Sequence, residues 1–279
     1  MRCRGLNKQL GAVFVLGTIL LVTLIYGGIY SKAKMQRVYE KERAEFIQEE
    51  ADKKAKEKAE KEKRAAEKAA EEKRVYEAHK GESLIYSPMG DSLADGYAAT
   101  TPEQRYIARF TKLLHEKMGY NVQLAEGAVK GGTGISDEAL PNIDKLRAQQ
   151  PDLITIQFGN NDHVKDKKDA YVTPGEFKKK LETLVDELVS FPKKPKIILI
   201  TTWNSGGTSL TFDQIIEDVG KEKNVEVTNI QELWQGRTDT FGPAGVPVYK
   251  GKSDEWHPNN KGHKEIAEKL FNTAYETLK

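Results

Sequence analysis

Two short stretches of the sequence carry residue types that could activate a hydroxyl group. Ser92 lies in GDSLADG, soon after the apolar run 84–86, and Asp254 and His257 are three residues apart in DEWHP. A serine becomes a nucleophile when a base takes its proton and a third group orients the base. The close spacing lets one segment supply both the base and its carboxylate. Taken alone, however, Ser92 is more typical of a turn at the end of a strand.

A nucleophile that attacks a carbonyl group also needs hydrogen-bond donors for the negative oxygen that forms. Gly132, in GAVKGGTG, can bring its backbone N–H close to a ligand because it has no side chain. Asn161, in GNND, could offer its side-chain amide. GAVKGGTG is a poor match to a phosphate-binding loop, because Thr133 stands where that motif requires lysine. Acyl chemistry at a serine is therefore favoured over nucleotide binding.

Alternating strand and helix patterns place these residues at the ends of strands. Apolar runs predict five strands, at 83–88, 122–125, 153–158, 196–202 and 225–230. Helical patterns follow at 103–118, 137–149, 174–189, 212–223 and 261–278. The alternation predicts an α/β domain with a doubly wound parallel sheet, and such sheets bind ligands at the carboxyl ends of their strands. Ser92, Gly132 and Asn161 each follow one of the first three predicted strands.

The N-terminal region predicts a membrane anchor. No charged residue occurs from Gln9 to Ser31, and residues 10–30 would form a transmembrane helix of about 31 Å, close to the thickness of the hydrocarbon core. A cleaved signal peptide is the alternative, although its apolar core is usually shorter and ends in small residues. We expect a signal anchor with residues 1–9 as a short cytoplasmic tail and the catalytic domain outside the cell.

Residues 31–80 contain 16 basic and 13 acidic residues and no glycine or proline, which predicts a long charged helix. Pairs such as Glu50 with Lys54 and Glu60 with Arg64 have the spacing that supports a helix. Alanine, rather than a large apolar residue, recurs at the heptad positions, so a stable coiled coil is doubtful. A solvated stalk is favoured, with weak self-association as the alternative. The balanced charges argue against a nucleic-acid partner.

Taken together, the candidate catalytic residues and their motifs also resemble a known family. GDSLADG with Ser92, Gly132 in VKGGTG, Asn161 in GNND, and Asp254 with His257 in DEWHPN are similar to four sequence blocks of the SGNH hydrolases, also called GDSL-type esterases and lipases. The blocks occur in the family's order and cover a domain at 81–279. The resemblance implies a flavodoxin-like three-layer sandwich with a five-stranded parallel sheet, in the strand order 2-1-3-4-5.

The resemblance further implies a role for each block. Ser92 would be the nucleophile, His257 its base and Asp254 the group that orients the base. The oxyanion hole would consist of the Ser92 N–H, the Gly132 N–H and the Asn161 side chain. Gly131 stands beside Gly132 and could donate instead, although the spacing of the blocks favours Gly132.

Four further residues lie in or near these blocks. Trp256 could form part of an acyl or sugar wall, His163 could border the cleft, and Trp203 could line the pocket or belong to the core. His263 is predicted to be a surface or capping residue at the start of the last helix. With His257 and Asp254 it suggests no complete metal site by spacing, so neither a metal nor an organic cofactor is expected.

The sequence thus predicts a membrane-anchored serine esterase that acts through an acyl-enzyme. O-acetyl groups on extracellular or cell-surface carbohydrate are the expected substrate. The alternatives are a lipase or lysophospholipase-type esterase, an acyltransferase, and a non-catalytic scaffolding module of the cell envelope. No long apolar lid segment is evident in 81–279, which disfavours long acyl chains.

Overall fold

The computed structural model describes residues 3–203 and 209–279. Contacts divide the chain into two compact units, Met1–Ala69 and Ala70–Lys279. One helix, α1 (Cys3–His79), contains the whole described part of the first unit and the beginning of the second. The predicted apolar segment and the predicted charged stalk therefore belong to one continuous helix.

Within the first unit, every residue from 11 to 69 is exposed. The apolar part of α1 is long and apolar enough to cross a membrane. The charged part is supported by ion pairs one turn apart, among them Glu50 with Lys54 and Glu60 with Arg64. Such exposed pairs add little stability each, so this region depends on the helix propensity of its Ala, Glu, Lys and Arg residues.

The last turns of α1 belong to the second unit. Val75 is 2% exposed and packs in the core beside Tyr120 and Met118. The ring of His79 stacks on Tyr120 with 4.4 Å between the ring centroids. The compact α/β unit therefore starts about ten residues before the end of this helix.

A parallel sheet organises the second unit. Its strands are β1 (Ser83–Gly90), β2 (Asn121–Leu124), β3 (Ala128–Val129), β4 (Leu153–Gln157), β5 (Lys196–Ile200) and β6 (Glu226–Thr228). The order is β2-β1-β4-β5-β6, and β3 pairs with the end of β1. Because β4 occupies the other side of β1, β2 and β3 together fill one position. The predicted fold class and the order of five strand positions are confirmed.

Helices cover both faces of the sheet. They are α2 (Ser92–Asp95), α3 (Tyr106–Met118), α4 (Ile143–Gln149), α5 (Pro174–Val189), α6 (Leu210–Lys223) and α7 (Asn260–Leu278). One core cluster includes α3, α7 and the end of α1, and the other includes α4, α5 and α6. Polar segments follow β1, β4 and β5 at the carboxyl edge of the sheet. These segments are thus held between two separate apolar layers.

One predicted helix is wrong in extent. Residues 137–149 were expected to form a single helix, but a π-helical turn (Ile135–Ala139) and a 3-10 turn (Leu140–Asn142) precede the short α4. Pro141 explains the break, because proline has no N–H to donate to the preceding turn and its ring crowds the carbonyl there. Two residue pairs, β7 (Pro247–Val248) and β8 (Gly251–Lys252), form a small antiparallel ribbon in the long segment before α7.

Candidate active site

The chain turns sharply where β1 ends. Gly90 is the last residue of the strand, Asp91 caps α2, and Ser92 is the first residue of that helical turn. A Cβ on Gly90 would stand 2.6 Å from the Cβ of Ala94 and 3.0 Å from the carbonyl oxygen of Gln157. Glycine is therefore required by close packing here, and this packing holds Ser92 at the carboxyl edge of the sheet.

Ser92, His257 and Asp254 form one hydrogen-bonded chain. The Oγ of Ser92 lies 2.9 Å from Nε2 of His257, and Nδ1 of His257 lies 2.6 Å from Oδ2 of Asp254. Because a carboxylate only accepts hydrogen bonds, Nδ1 carries the ring proton and Nε2 is left to accept from the serine hydroxyl. The other carboxylate oxygen, Oδ1, accepts from the backbone N–H of Trp256 at 2.9 Å and of His257 at 2.7 Å. Residues 254–257 therefore form a compact turn that fixes the imidazole.

The protonation of this chain suits proton abstraction from the serine. Burial lowers the pKa of His257, although the hydrogen bond and the charge of Asp254 act in the opposite direction. Burial raises the pKa of Asp254, but the hydrogen bonds from His257 and Trp256 outweigh it, so this pKa lies below its usual value. At neutral pH the imidazole is thus neutral and the aspartate is ionised, as a base and its orienting group must be.

Hydrogen-bond donors lie beside the serine. Gly131, Gly132 and Asn161 line the same cavity as Ser92. Gly132 has φ = 80°, a left-handed conformation that other residues rarely adopt, so a side chain there would strain the loop. Nδ2 of Asn161 donates to the carbonyl oxygen of Thr133 at 2.8 Å, which leaves its second proton for the cavity. Gly132 and Asn161, the residues expected to form an oxyanion hole, thus lie in the same cavity wall as Ser92.

Asp162 connects the loop that contains Gly132 with the loop that contains Asn161. Its side chain is fully buried, and its oxygens accept from the backbone N–H of Ile135 and of Gly159, both at 2.8 Å. Burial raises the pKa of this carboxyl to about 6. Asp162 therefore connects the loop after β3 with the loop after β4.

Asp91 has a similar role that the sequence analysis did not recognise. It is fully buried and accepts from the N–H of Leu93 at 3.0 Å and from Nδ2 of Asn160 at 2.8 Å. Oδ1 of Asn160 in turn accepts from the N–H of Trp203 at 2.8 Å. Burial raises the pKa of Asp91 to about 7. Asp91 and Asn160 thus join the ends of β1, β4 and β5. The sequence signal for this role was the position of an aspartate directly before Ser92.

A cavity of about 530 Å³ opens over these groups, within the size range of small-molecule sites. Its lining residues include the predicted wall residue Trp256. Two aromatic rings enclose the imidazole of His257: Tyr97 with its centroid 4.3 Å away, and Trp256, edge-on, at 4.7 Å. The remaining lining side chains are Val164 and Lys167 from the loop after β4, and Asn160. Tyr97 and Lys167 were not predicted as site residues.

The matched family agrees with this geometry. The model of the GDSL-like lipase/acylhydrolase family matches residues 89–265, from the end of β1 into α7. The chain belongs to this family. It is accordingly a carboxylic-ester hydrolase, and the matched residues include the whole hydrogen-bonded chain of Ser92, His257 and Asp254.

Solved structures share the fold of this GDSL-like hydrolase. A family 3 carbohydrate esterase from Clostridium thermocellum aligns over 71% of this chain and 98% of its own, with a TM-score of 0.56 and 15% identity. The psychrotrophic esterase EstA from Pseudoalteromonas sp. aligns over 70% and 98%, with a TM-score of 0.54 and 19% identity. An acetyl xylan esterase, AlAXEase, aligns over 68% and 98%, with a TM-score of 0.54 and 20% identity. No curated protein matches the chain in sequence.

Two of the suggested substrate-binding residues lie away from the cavity of the GDSL-like hydrolase. Trp203 is fully buried, and its indole N–H donates to the carbonyl oxygen of Trp256 at 2.7 Å. It therefore belongs to the core and supports the segment that carries His257. His163 contacts the ring of Phe212 and places Nδ1 2.9 Å from the carbonyl oxygen of Gly159, so its ring stabilises the loop instead of lining the cavity.

The prediction that His263 is a surface or capping residue is wrong. Its side chain is fully buried, with Nε2 3.0 Å from the carbonyl oxygen of Tyr97 and Nδ1 accepting from the N–H of Tyr106 at 3.3 Å. Burial lowers the pKa of His263 to about 4, so the ring is neutral. Both ring nitrogens are engaged by backbone groups and neither is available to a metal. His263 instead holds the backbone of Tyr97 against His257.

Proposed function

We propose that this hydrolase is a serine esterase in which Ser92 is the nucleophile, His257 the general base and acid, and Asp254 the orienting carboxylate. The observation that carries the proposal is the hydrogen-bonded chain from Asp254 through His257 to the Oγ of Ser92, which faces the cavity. Nucleophile, base and orienting group then lie within the distances that proton transfer requires.

The first half of the reaction forms an acyl-enzyme. The Oγ of Ser92 attacks the ester carbonyl carbon while Nε2 of His257 takes the hydroxyl proton. The carbonyl π electrons move to the oxygen, and this oxyanion accepts from the N–H groups of Ser92 and Gly132 and from the amide of Asn161. When the tetrahedral intermediate collapses, the bond to the alcohol oxygen breaks and His257 returns the proton to that oxygen.

The second half releases the acid. Water attacks the acyl carbon of the ester on Ser92 while His257 takes one of its protons. Collapse of this second tetrahedral intermediate breaks the bond to Oγ, and the proton returns to the serine. The products are a carboxylic acid and the free enzyme. Asp254 stays ionised throughout and stabilises the imidazolium formed in each half.

The substrate class we propose is an O-acetylated carbohydrate. The cavity is broad enough for a sugar residue and is lined by Tyr97 and Trp256, whose aromatic rings also contact His257. Solved structures with the same fold include a carbohydrate esterase and an acetyl xylan esterase. We further propose that the apolar part of α1 anchors the enzyme in the cell membrane with the catalytic unit outside, where such polysaccharide is found.

The test compares acetate and fatty acid release by the full-length chain in detergent. Acetylated xylan and a micellar lysophospholipid are supplied separately, and Ser92→Ala serves as the control. We expect acetate release from the glycan, little fatty acid release, and loss of about 10⁵-fold or more of the activity in the variant. Fatty acid release without acetate release would identify a lipase. Activity retained in Ser92→Ala would exclude Ser92 as the nucleophile.

A further inference from the structure

A lysine lies in the wall of the active-site cavity beside the oxyanion-hole loop. Lys167 belongs to the segment between β4 and α5, and its Nζ lies 3.8 Å from the position that a Cβ on Gly132 would occupy. The backbone around it is ordered: its N–H donates to Val164 at 2.9 Å, and its carbonyl oxygen accepts from Ala170 at 3.0 Å and Tyr171 at 2.7 Å. The turn therefore directs a positive charge into the substrate cavity.

This charge has no protein counter-ion among the residues that the structure describes. Among the described residues of the cavity wall, the one carboxylate is that of Asp254, and it is occupied by the imidazole of His257 and two backbone N–H groups. Lys250, by contrast, is paired with Asp95. Lys167 forms neither an ion pair nor a side-chain hydrogen bond within the described ranges 3–203 and 209–279. Its ammonium group is free to meet a ligand.

The positive charge of Lys167 also acts on the groups that would react. Lys167, His257 and Ser92 line the same cavity. Burial is the main cause of the lowered pKa of His257, and the positive charge of Lys167 acts in the same direction. A ligand group held by Lys167 would therefore lie on a substrate whose ester carbonyl can reach Ser92. A lysine is a mobile point charge without a fixed fork of donors, so it can pair with either a carboxylate or a phosphate.

We propose that Lys167 gives the enzyme a preference for acetyl esters of carbohydrates that carry an anionic group, a carboxylate or a phosphate. This inference rests on the proposed function, because an acetyl group has no ionisable atom and the negative charge must then belong to the sugar. The anionic group pairs with Nζ of Lys167 while the acetyl carbonyl occupies the oxyanion hole.

A different role for Lys167 would leave a different kinetic signature. If its charge acted only on the oxyanion, then its removal would lower the rate by the same factor for neutral and charged esters, since all pass through the same oxyanion. Recognition of an anionic sugar changes the ratio between the two. The preference, defined as kcat/KM for the charged ester divided by kcat/KM for the neutral ester, separates these roles.

The experiment measures this preference with the full-length enzyme in detergent at low salt. The substrates are acetylated methyl glucoside as the neutral ester, with acetylated methyl glucuronoside and an acetylated glucose 6-phosphate as the two anionic arms. We compare the wild type, Lys167→Gln, and Lys168→Gln, an exposed lysine of the same segment outside the cavity wall. Both variants lose one positive charge from the same loop.

We expect the wild type to prefer at least one anionic ester by about fivefold, as an exposed ion pair allows. The preference should fall to near one in Lys167→Gln, persist in Lys168→Gln, and weaken as salt is added, because salt screens exposed charges. The anionic arm with the larger preference identifies carboxylate or phosphate as the recognised group.

Equal kcat/KM for neutral and charged esters in the wild type, or a preference that Lys167→Gln retains, would overturn the inference while the esterase function stands. An equal loss in both variants would assign the preference to the general charge of the loop, and so would also overturn it. A wild-type enzyme that hydrolyses none of the three esters would overturn the substrate class and the inference together.

Discussion

The two units of this chain use similar residue types in opposite environments. Between residues 11 and 69 every side chain is exposed, and order depends on local helix propensity and on ion pairs one turn apart. In Ala70–Lys279, aspartates such as Asp91 and Asp162 are fully buried and join strands that are distant in sequence. The charged residues of the first unit face water, whereas these buried aspartates of the second unit fix the positions of other groups.

This difference means that the same substitution should have different consequences in the two units. Aspartate, valine, lysine and side-chain amides occur in both, so each change in the α/β unit has a control in the helical unit. A large effect from a change in the helical unit would show that it takes part in catalysis or in folding of the other unit.

The largest contrast is expected for aspartate to asparagine. In Asp254→Asn the side-chain amide would donate toward Nδ1 of His257, so the ring would carry its proton on Nε2 and could not accept from Ser92. We expect kcat to fall about 10²–10⁴-fold. Asp52→Asn, at an exposed position whose carboxylate accepts a hydrogen bond from Gln48, should leave kcat unchanged. A loss below tenfold for Asp254→Asn would remove Asp254 from the catalytic chain.

The next contrast concerns side-chain amides. Asn161→Ala removes a proposed oxyanion donor, and we expect kcat to fall about 10²–10³-fold. Gln48→Ala removes an amide from the exposed helix and should have no effect on kcat. Near-ultraviolet circular dichroism checks that both proteins remain folded. If Asn161→Ala raised KM without lowering kcat, the amide would bind the ground state and not the transition state.

Valine to alanine tests where the boundary between the units lies. Val75 is 2% exposed and Val38 is 46% exposed, although both lie in α1. We expect Val75→Ala to lower the free energy of unfolding of the α/β unit by about 2 kcal/mol, from lost burial and the cavity left behind. Val38→Ala should change it by less than about 0.5 kcal/mol.

The readout for the valine pair is intrinsic to the chain. All three tryptophans, Trp203, Trp234 and Trp256, lie in the α/β unit, so the fluorescence change on urea unfolding reports that unit alone. Equal stability of Val75→Ala and wild type would mean that the last turns of α1 are not part of the cooperative unit.

Helices and strands whose boundaries depend on neighbouring residues were predictable from the sequence. α5 begins at Pro174, after the cap Thr173 with its partner Glu176, and ends at Val189, as the periodicity indicated. The predicted strands also lie where the sheet has them, apart from the division of the second position into β2 and β3. The helix predicted at 137–149 was wrong in extent because its apolar pattern continues across Pro141, where the missing N–H and the ring interrupt a regular helix.

Site residues that belong to short motifs were predictable from the sequence. Site residues that are positioned by contacts with distant segments were not. Ser92, His257 and Asp254 were recognised from short motifs, and the structure brings them together, while their catalytic roles remain a proposal. Tyr97 contacts an imidazole 160 positions further along the chain, and the ring of His263 contacts the backbone of Tyr97 across 166 positions. No periodicity or local spacing contains such information, so these placements could come only from the fold.

The smallest effect expected is a shift in pH dependence. His257 must be neutral to act as base, and burial lowers its pKa, so kcat/KM for a neutral ester should fall with decreasing pH only below the usual histidine pKa of about 6.5. Lys167 disfavours the imidazolium, so Lys167→Gln should raise this pKa and move the acid limb to higher pH. Lys53→Gln, in the exposed helix, should not move it. The measurement is kcat/KM for p-nitrophenyl acetate from pH 4.5 to 8.5 at low salt. A limb that stays in place in Lys167→Gln would mean that the charge is screened from the imidazole, and one above pH 6.5 in the wild type would mean that Asp254 outweighs burial.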